Sequence, residues 1–257
     1  MPSYDRVFIQ ESLLMIKVKR FKDEHNVFKW KHFEGDIILW LVRWYGRYAL
    51  SYNDLREIAA ERGLSVCRST IYRWVQQYSP ELERRVKLVL KKTCDSWKLD
   101  ETYIKVKGKW VYLYRAIDKH GQTLDWMLSL HRNKPSAKRF FKKTLANNHV
   151  VDPRVINVDK SPTFPPALEE LQEENVMPEA TTLRTIKYLN NAMENDHKFT
   201  KGTSRYRQWY QSFDTARNAI SAMETMRMVQ KGQLKFAPKG DVRAQNQVIN
   251  KLFNLAA

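Results

Sequence analysis

The spacing of apolar positions changes near residue 95. Before that point they recur at helical intervals; after it come short runs rich in β-branched and aromatic residues. Residues 8–22 and 34–45 read as helices, the second of them buried and ended by Gly46. Ser51 followed by Asp54 is a capping-box start, and Leu55, Ile58 and Ala59 fall on one face of the helix it opens. Gly63 stands where that helix must stop and the chain turn. A second helix follows, with Ser65 as its expected cap and Ile71, Trp74 and Val75 facing inward. Arg68, Ser69, Tyr72 and Arg73 are left on or near its outer face. Helix, glycine turn and a second helix with Arg and Ser near its start make the helix-turn-helix plan, although an ordinary helical hairpin fits the same pattern. Pro80 is the expected exit from this unit, and residues 81–95 are expected to form a charged linking helix.

Beyond residue 95 the pattern predicts three consecutive strands. WKLDETYIKV is followed by a turn at Gly108, and WVYLYRAID is apolar apart from Arg115 and its final Asp118. After a second turn at His120-Gly121, TLDWMLSL places Leu124, Trp126, Leu128 and Leu130 on one face. Pro135 opens a helix over 135–147 with Ala137, Phe140, Phe141 and Leu145 as its core stripe. A short strand at 154–158, a helix at 165–175, a strand at 181–186 and a long helix at 188–201 follow. A last helix at 213–231 turns Ala216, Ile220 and Met223 inward. A three-strand meander followed by alternating helices and strands is the order of the ribonuclease-H-like fold. The expected class is therefore α/β: a mixed-sheet catalytic domain over 96–235, preceded by an all-α DNA-binding domain over 1–80 and the linking helix 81–95. Residues 236–257 are expected to be a tail.

Composition points to a polyanionic partner. Lys and Arg number 45 against 28 Asp and Glu, a net charge of +17 over 257 residues, and duplex DNA carries about one negative charge per 1.7 Å of axis. Most of the aromatic residues are expected in the core. Cys67 and Cys94 are far apart, without a C-x-x-C pair, and the six His show no metal-ligand spacing, which excludes a zinc finger. The first thirty residues are charged throughout, so no secretion signal is expected, and the apolar runs are too short to cross a membrane. A cytoplasmic protein with no membrane role is expected.

Three acids stand out. Asp100 interrupts a strand-forming run, and Asp159 comes directly after the buried run RVINV, where open α/β sheets gather ligand-binding groups. Two neighbouring carboxylates repel each other unless a cation lies between them, and Mg²⁺ suits carboxylate, water and phosphate oxygens. Glu194 shares a narrow helical stripe with Asn190, His197 and Lys201. Two Mg²⁺ ions held by Asp100, Asp159 and Glu194, with Mn²⁺ as a substitute, would clamp a phosphate between attacking and leaving oxygens. Lys201 would hold a phosphate as a point charge, with His197 and Asn190 beside it. Glu101, Asp118, Asp125 and Asp196 are read as structural.

Seven blocks carry a resemblance. LSYNDLREIAAERG, STIYRWVQQYSPELE, WKLDETYIKVKGKWVYLYRAIDKHG, AKRFFKK, PRVINVDKSPTF, KYLNNAMENDH and MVQKGQ run in order along nearly the whole chain. Together they resemble bacterial insertion-sequence transposases with an Asp-Asp-Glu triad, specifically the insertion-sequence-six family. The thirty-four residues between Asp159 and Glu194 agree with that family's spacing. The resemblance implies that Asp100, Asp159 and Glu194 are the catalytic acids and that Lys201 is the family's basic position. It implies binding to terminal inverted repeats, strand cleavage and transfer to target DNA, and replicon fusion (cointegrate formation) by a copying route. It also implies a homodimer or larger assembly, since two element ends must be held together. The rival readings are a catalytically inactive helix-turn-helix regulator and a nuclease that cuts without joining.

Overall fold

The computed structural model describes residues 27–159, 161–185 and 210–255. The chain forms two compact units, one from Lys92 to Arg217 and the other from the chain up to Lys91 together with the stretch from Asn218 onward.

In the helical unit, α1 (Gly35–Arg47), α2 (Tyr52–Glu61) and α3 (Arg68–Lys87) follow one another. α1 buries Ile38, Leu39, Leu41, Val42 and Tyr45. Gly46 lies inside α1 and does not end it. The expected capping box is present: the Ser51 hydroxyl accepts from the Asp54 amide and the Asp54 carboxylate accepts from the Ser51 amide. Gly63 takes φ +74°, and the Gly63 and Leu64 amides close the end of α2 on the carbonyls of Ala60 and Ala59. The cap of α3 is Cys67 rather than Ser65. Its backbone is extended, and its Sγ lies 3.2 Å from Ser69 Oγ and 3.0 Å from Thr70 Oγ1.

Pro80 corrects the expected boundary, because it sits within α3, which continues to Lys87. A proline inside a helix deprives the carbonyl four residues earlier of its usual donor. Here that carbonyl belongs to Gln76, and the Asn218 side-chain amide donates to it at 3.2 Å. Ser221 Oγ donates to the neighbouring Ser79 carbonyl at 3.1 Å. The helix past the proline is further tied by Glu81 to Arg84 and Arg85 and by Glu83 to Lys87. No separate linking helix spans 81–95: after Lys87 the chain leaves the helix, and Leu90 bridges Leu234.

The late segments also differ from expectation. α6 (Phe213–Gln230) buries Ala216, Ile220 and Met223 as its pattern predicts, but from Asn218 it belongs to the helical unit, not the sheet. Residues 236–257 are more than a tail. They contain α7 (Val242–Leu252), capped by Asp241 and burying Val248, Ile249 and Leu252. Arg85, almost fully buried, donates to the Leu252 carbonyl at 2.6 Å and lies over the Phe253 ring.

The second unit is a five-stranded sheet. β1 (Ser96–Val106), β2 (Lys109–Asp118) and β3 (Thr123–Ser129) form an antiparallel meander; β4 (Val155–Val158) pairs parallel with β1, and β5 (Thr182–Thr185) parallel with β4. The order across the sheet is β3-β2-β1-β4-β5. α4 (Lys134–Leu145) and α5 (Phe164–Glu173) supply Ala137, Phe140, Phe141, Phe164, Ala167 and Leu171 to a core with Trp97, Leu99, Tyr114, Ala116, Leu124, Ile156 and Val158 of the sheet. Each fully buried large apolar side chain contributes about 1.5–3 kcal/mol. Leu130 is the exception to the predicted stripe: β3 ends at Ser129 and Leu130 is exposed. On the solvent side, Lys134 and Lys138 pair with Glu170, and Lys138 and Lys142 with Glu174. Three consecutive antiparallel strands, then two parallel strands added beside the first, with helices packed on the sheet, make the ribonuclease-H-like fold.

Candidate active site

The parallel register of β1 and β4 brings the first two acids together. Leu99 is paired with Val158, and both are core residues. The next residue on each strand is an aspartate, Asp100 on β1 and Asp159 just past β4. Neighbouring strands run about 4.8 Å apart, so the two backbone positions are adjacent. Asp100 follows a core-facing leucine and therefore leaves the face of the sheet turned away from α4 and α5. Its Oδ1 accepts from the Glu101 amide at 2.7 Å.

Arg115 is the register partner of Asp100 across β1 and β2, so both side chains leave the same face. It is 0% exposed. The sequence marks it as the one charge between the two ends of an otherwise apolar strand, and that signal would have assigned it to the surroundings of Asp100.

Glu101 points the other way, and its carboxylate is almost wholly buried. It accepts from Ser161 Oγ at 2.8 Å and from Thr163 Oγ1 at 2.9 Å, and it pairs with Arg132. Thr163 is the residue before α5, so Glu101 ties the segment that follows Asp159, and the start of α5, back to β1. Asp118 accepts from the amides of Cys94, His120 and Gln122. Asp125 pairs with Lys143 and accepts from Asn147. All three acids have structural work to do where they stand.

Glu194 and its stripe companions Asn190, His197 and Lys201 lie outside the described residues, as does Asp196. Among the described residues no three His, Cys, Asp or Glu side chains converge as a metal-binding group. The chemistry of Asp100 and Asp159 nonetheless fits a hard divalent cation: both offer only oxygen, from neighbouring positions fixed by the sheet.

In the helical unit, Arg68, Ser69, Tyr72 and Arg73 are all exposed on the first two turns of α3. Tyr72 packs edge-on against Tyr52, which stacks on Tyr45 with ring centroids 4.7 Å apart. The outward face of α3 is thereby braced from behind by two aromatic rings.

A DDE-domain family model of the IS240 transposase type matches residues 94–233. The family match begins near the start of the second unit and extends past its end at Arg217. The chain is 42% identical over 200 residues to the transposase for the insertion sequence-like element IS431mec of Staphylococcus aureus (strain Mu50 / ATCC 700699), covering 77% of this chain and 86% of the relative. It is equally similar, 42% over the same proportions, to the Staphylococcus aureus transposase for insertion sequence element IS257 in transposon Tn4003. The HTLV-2 integrase catalytic core domain, solved in complex with magnesium in its trimeric form, is 14% identical with a TM-score of 0.41, covering 62% of this chain and 97% of that one. Sheet topology and the family match define residues 94–233, the five-stranded sheet together with α6, as the DDE domain of a polynucleotidyl transferase. The chain belongs to the insertion-sequence-six family of DDE transposases and is a DNA transposase. Among the described residues no helix is long and apolar enough to cross a membrane.

Proposed function

We propose that this transposase recognises the terminal inverted repeats of an insertion sequence, cuts a DNA strand at each end and joins the freed 3′ end to target DNA. The observation that carries the reading is the placement of Asp100 and Asp159 one residue past register partners on adjacent parallel strands. Asp100, Asp159 and Glu194 are the residues that would hold two Mg²⁺ ions, with Mn²⁺ able to replace them. Bound there, divalent ions would supply charge neutralisation at the phosphate and activation of the attacking oxygen.

The chain's own groups do the rest. The sheet fixes Asp100 and Asp159 so that no reorganisation of the backbone is needed at the moment of reaction. Glu101 anchors the segment behind Asp159. Lys201 would hold a phosphate as a point charge, with His197 and Asn190 as further DNA contacts. The helical unit is the DNA-binding unit: Arg68, Ser69, Tyr72 and Arg73 enter the groove of the element end as a helix-turn-helix does. Cleavage and joining use the same in-line geometry, so one set of acids serves both. Two ends held together call for a homodimer or larger assembly, and joining without release of the donor leads to cointegrates. Such a protein works in the bacterial cytoplasm, beside the nucleoid.

The test is an end-labelled inverted-repeat duplex incubated with the full chain, Mg²⁺ and a target plasmid. Nicking and joining are expected, with both lost in Asp100→Asn, Asp159→Asn and Glu194→Gln while binding to the end persists. Binding without any cut in the wild type would leave only a DNA-binding regulator, and cutting without joining would leave a nuclease.

A further inference from the structure

The hairpin of β1 and β2 extends beyond the residues that α4 and α5 cover. One of its faces is buried, through Thr102, Ile104, Val106, Val111 and Leu113. The other continues the row of Leu99 and Glu101, and there Tyr103 pairs with Tyr112 and Lys105 with Trp110. Trp110 is 61% exposed and Tyr103 49%. The rings nonetheless form one group. Tyr103 meets Trp110 with centroids 6.3 Å apart and Tyr112 at 5.4 Å, and Lys105 Nζ lies 5.7 Å from the Trp110 ring. Lys107 and Lys109 flank the turn at Gly108, and Arg132 reaches the Tyr103 hydroxyl. No carboxylate occurs between Thr102 and Ile117, so the hairpin does not neutralise its own lysines.

A solvent-facing strand row is ordinarily polar, and a cluster of exposed large aromatics marks a binding surface. Interleaved with lysines, aromatic rings fit a strand of nucleic acid: the cations follow the phosphates and the rings stack on bases. A duplex keeps its base faces stacked inside, so rings that stack must meet unpaired bases. Trp110 is opposite Lys105, five residues along β1 from Asp100, or about 17 Å at strand rise. We propose that Tyr103, Trp110 and Tyr112, with Lys105, Lys107 and Lys109, form a docking surface for unpaired DNA strand, separate from the exposed face of α3. The assignment rests on the reading of this chain as an enzyme that opens DNA ends.

Binding of the full chain to a fluorescent unstructured single-stranded oligonucleotide, measured without divalent ion, tests it against binding to the inverted-repeat duplex. Trp110→Ala should weaken single-strand binding about 5- to 150-fold, the range of one lost base–ring stack, and leave duplex binding within about twofold. Trp110→Phe keeps a ring and should restore most of the loss. Because Trp110 is largely exposed, its removal should leave the thermal midpoint unchanged, which the same samples report. Unaltered single-strand affinity in Trp110→Ala overturns the proposal, as does a loss that is equal on duplex and single strand. A concentration-dependent dimer that Trp110→Ala dissociates, with single-strand affinity unchanged, also overturns it by giving the surface to a second copy of the chain. The readout is independent of cleavage. A chain that binds neither DNA defeats the proposed function at element ends, whereas normal duplex binding with ring-insensitive single-strand binding defeats only the docking surface.

Discussion

The Ser161 hydroxyl donates to the Glu101 carboxylate at 2.8 Å, joining the segment just beyond Asp159 to the residue beside Asp100. The same carboxylate serves Thr163 and Arg132, so three partners lose their acceptor if it is removed. Glu101→Ala should cost about 2–4 kcal/mol in urea unfolding, the range for breaking a buried, multiply bonded charge. Glu101→Gln keeps one acceptor oxygen and should fall in between. Strand cleavage, assayed well below the unfolding transition, should drop further than the unfolded fraction explains. A fully folded Glu101→Ala protein with wild-type cleavage would show that this tether does not position Asp159.

That relationship separates what the sequence could reveal from what it could not. Asp100 and Asp159 were legible because each breaks a local rule: one is an acid inside a strand-forming run, the other an acid at the end of a buried one. The meander, the two helices on the sheet and the capping box at Ser51 were legible for the same reason, since each is written in a few consecutive residues. Pro80 misled because the donor that satisfies the Gln76 carbonyl comes from Asn218, a partner 142 positions away from Gln76 that no local pattern discloses. Gly46 misled likewise: it reads as a stop, but it is small because α6 passes close by. The role of Glu101 was hidden because strand alternation tells which face a side chain takes, not what waits for it there. The helical stripe of Glu194 falls outside the described residues.

Gly46 allows a direct test of that close approach. A Cβ placed on it would come within 2.5 Å of the Ala222 carbonyl oxygen and 2.8 Å of its carbon, both backbone atoms that cannot rotate away. Gly46→Ala should therefore destabilise by about 1–3 kcal/mol or more, despite alanine's better helix propensity. Gly63→Ala is the useful contrast. Nothing lies within 4 Å of its position, so only the positive φ of +74° is penalised, and the expected cost is about 1 kcal/mol. Equilibrium unfolding of both variants checks the ranking, and a Gly46→Ala protein as stable as the wild type would mean that α1 and α6 can separate freely.

The lysine–glutamate ladder between α4 and α5 makes a pH prediction. Hydrogen bonds from Lys134 and then Lys138 hold the Glu170 carboxyl down at about 2. A depressed carboxylate stabilises the fold above its unfolded value of about 4.3, and the contribution is lost as pH falls through the folded value. The difference in melting temperature between wild type and Glu170→Gln should be constant from neutral pH to about 5 and shrink as pH falls from about 4.3 toward 2. The ladder is solvent-exposed, so the difference should be small and should diminish further in high salt. A gap that widens on acidification would reverse the assigned sign.

Cys67 reports on the proposed groove-entering end of α3. It is exposed at the helix cap, and hydrogen bonds from Ser69 and then Thr70 pull its thiol down to about 7. The other cysteine, Cys94, is half-buried. Iodoacetamide should therefore label Cys67 first, with a rate half-maximal near that value rather than at the ordinary thiol value of about 8.5. Because Cys67 adjoins Arg68 and Ser69, an inverted-repeat duplex should protect it, and the alkylated protein should bind that duplex weakly. Cys67→Ser removes the thiol and puts a favoured capping residue at the same position, so it should bind normally before and after the reagent. Arg68→Ala and Arg73→Ala should weaken duplex binding and flatten its salt dependence, each by about one phosphate contact. Labelling that proceeds at the same rate with saturating duplex present would place the DNA on a different face of the helical unit.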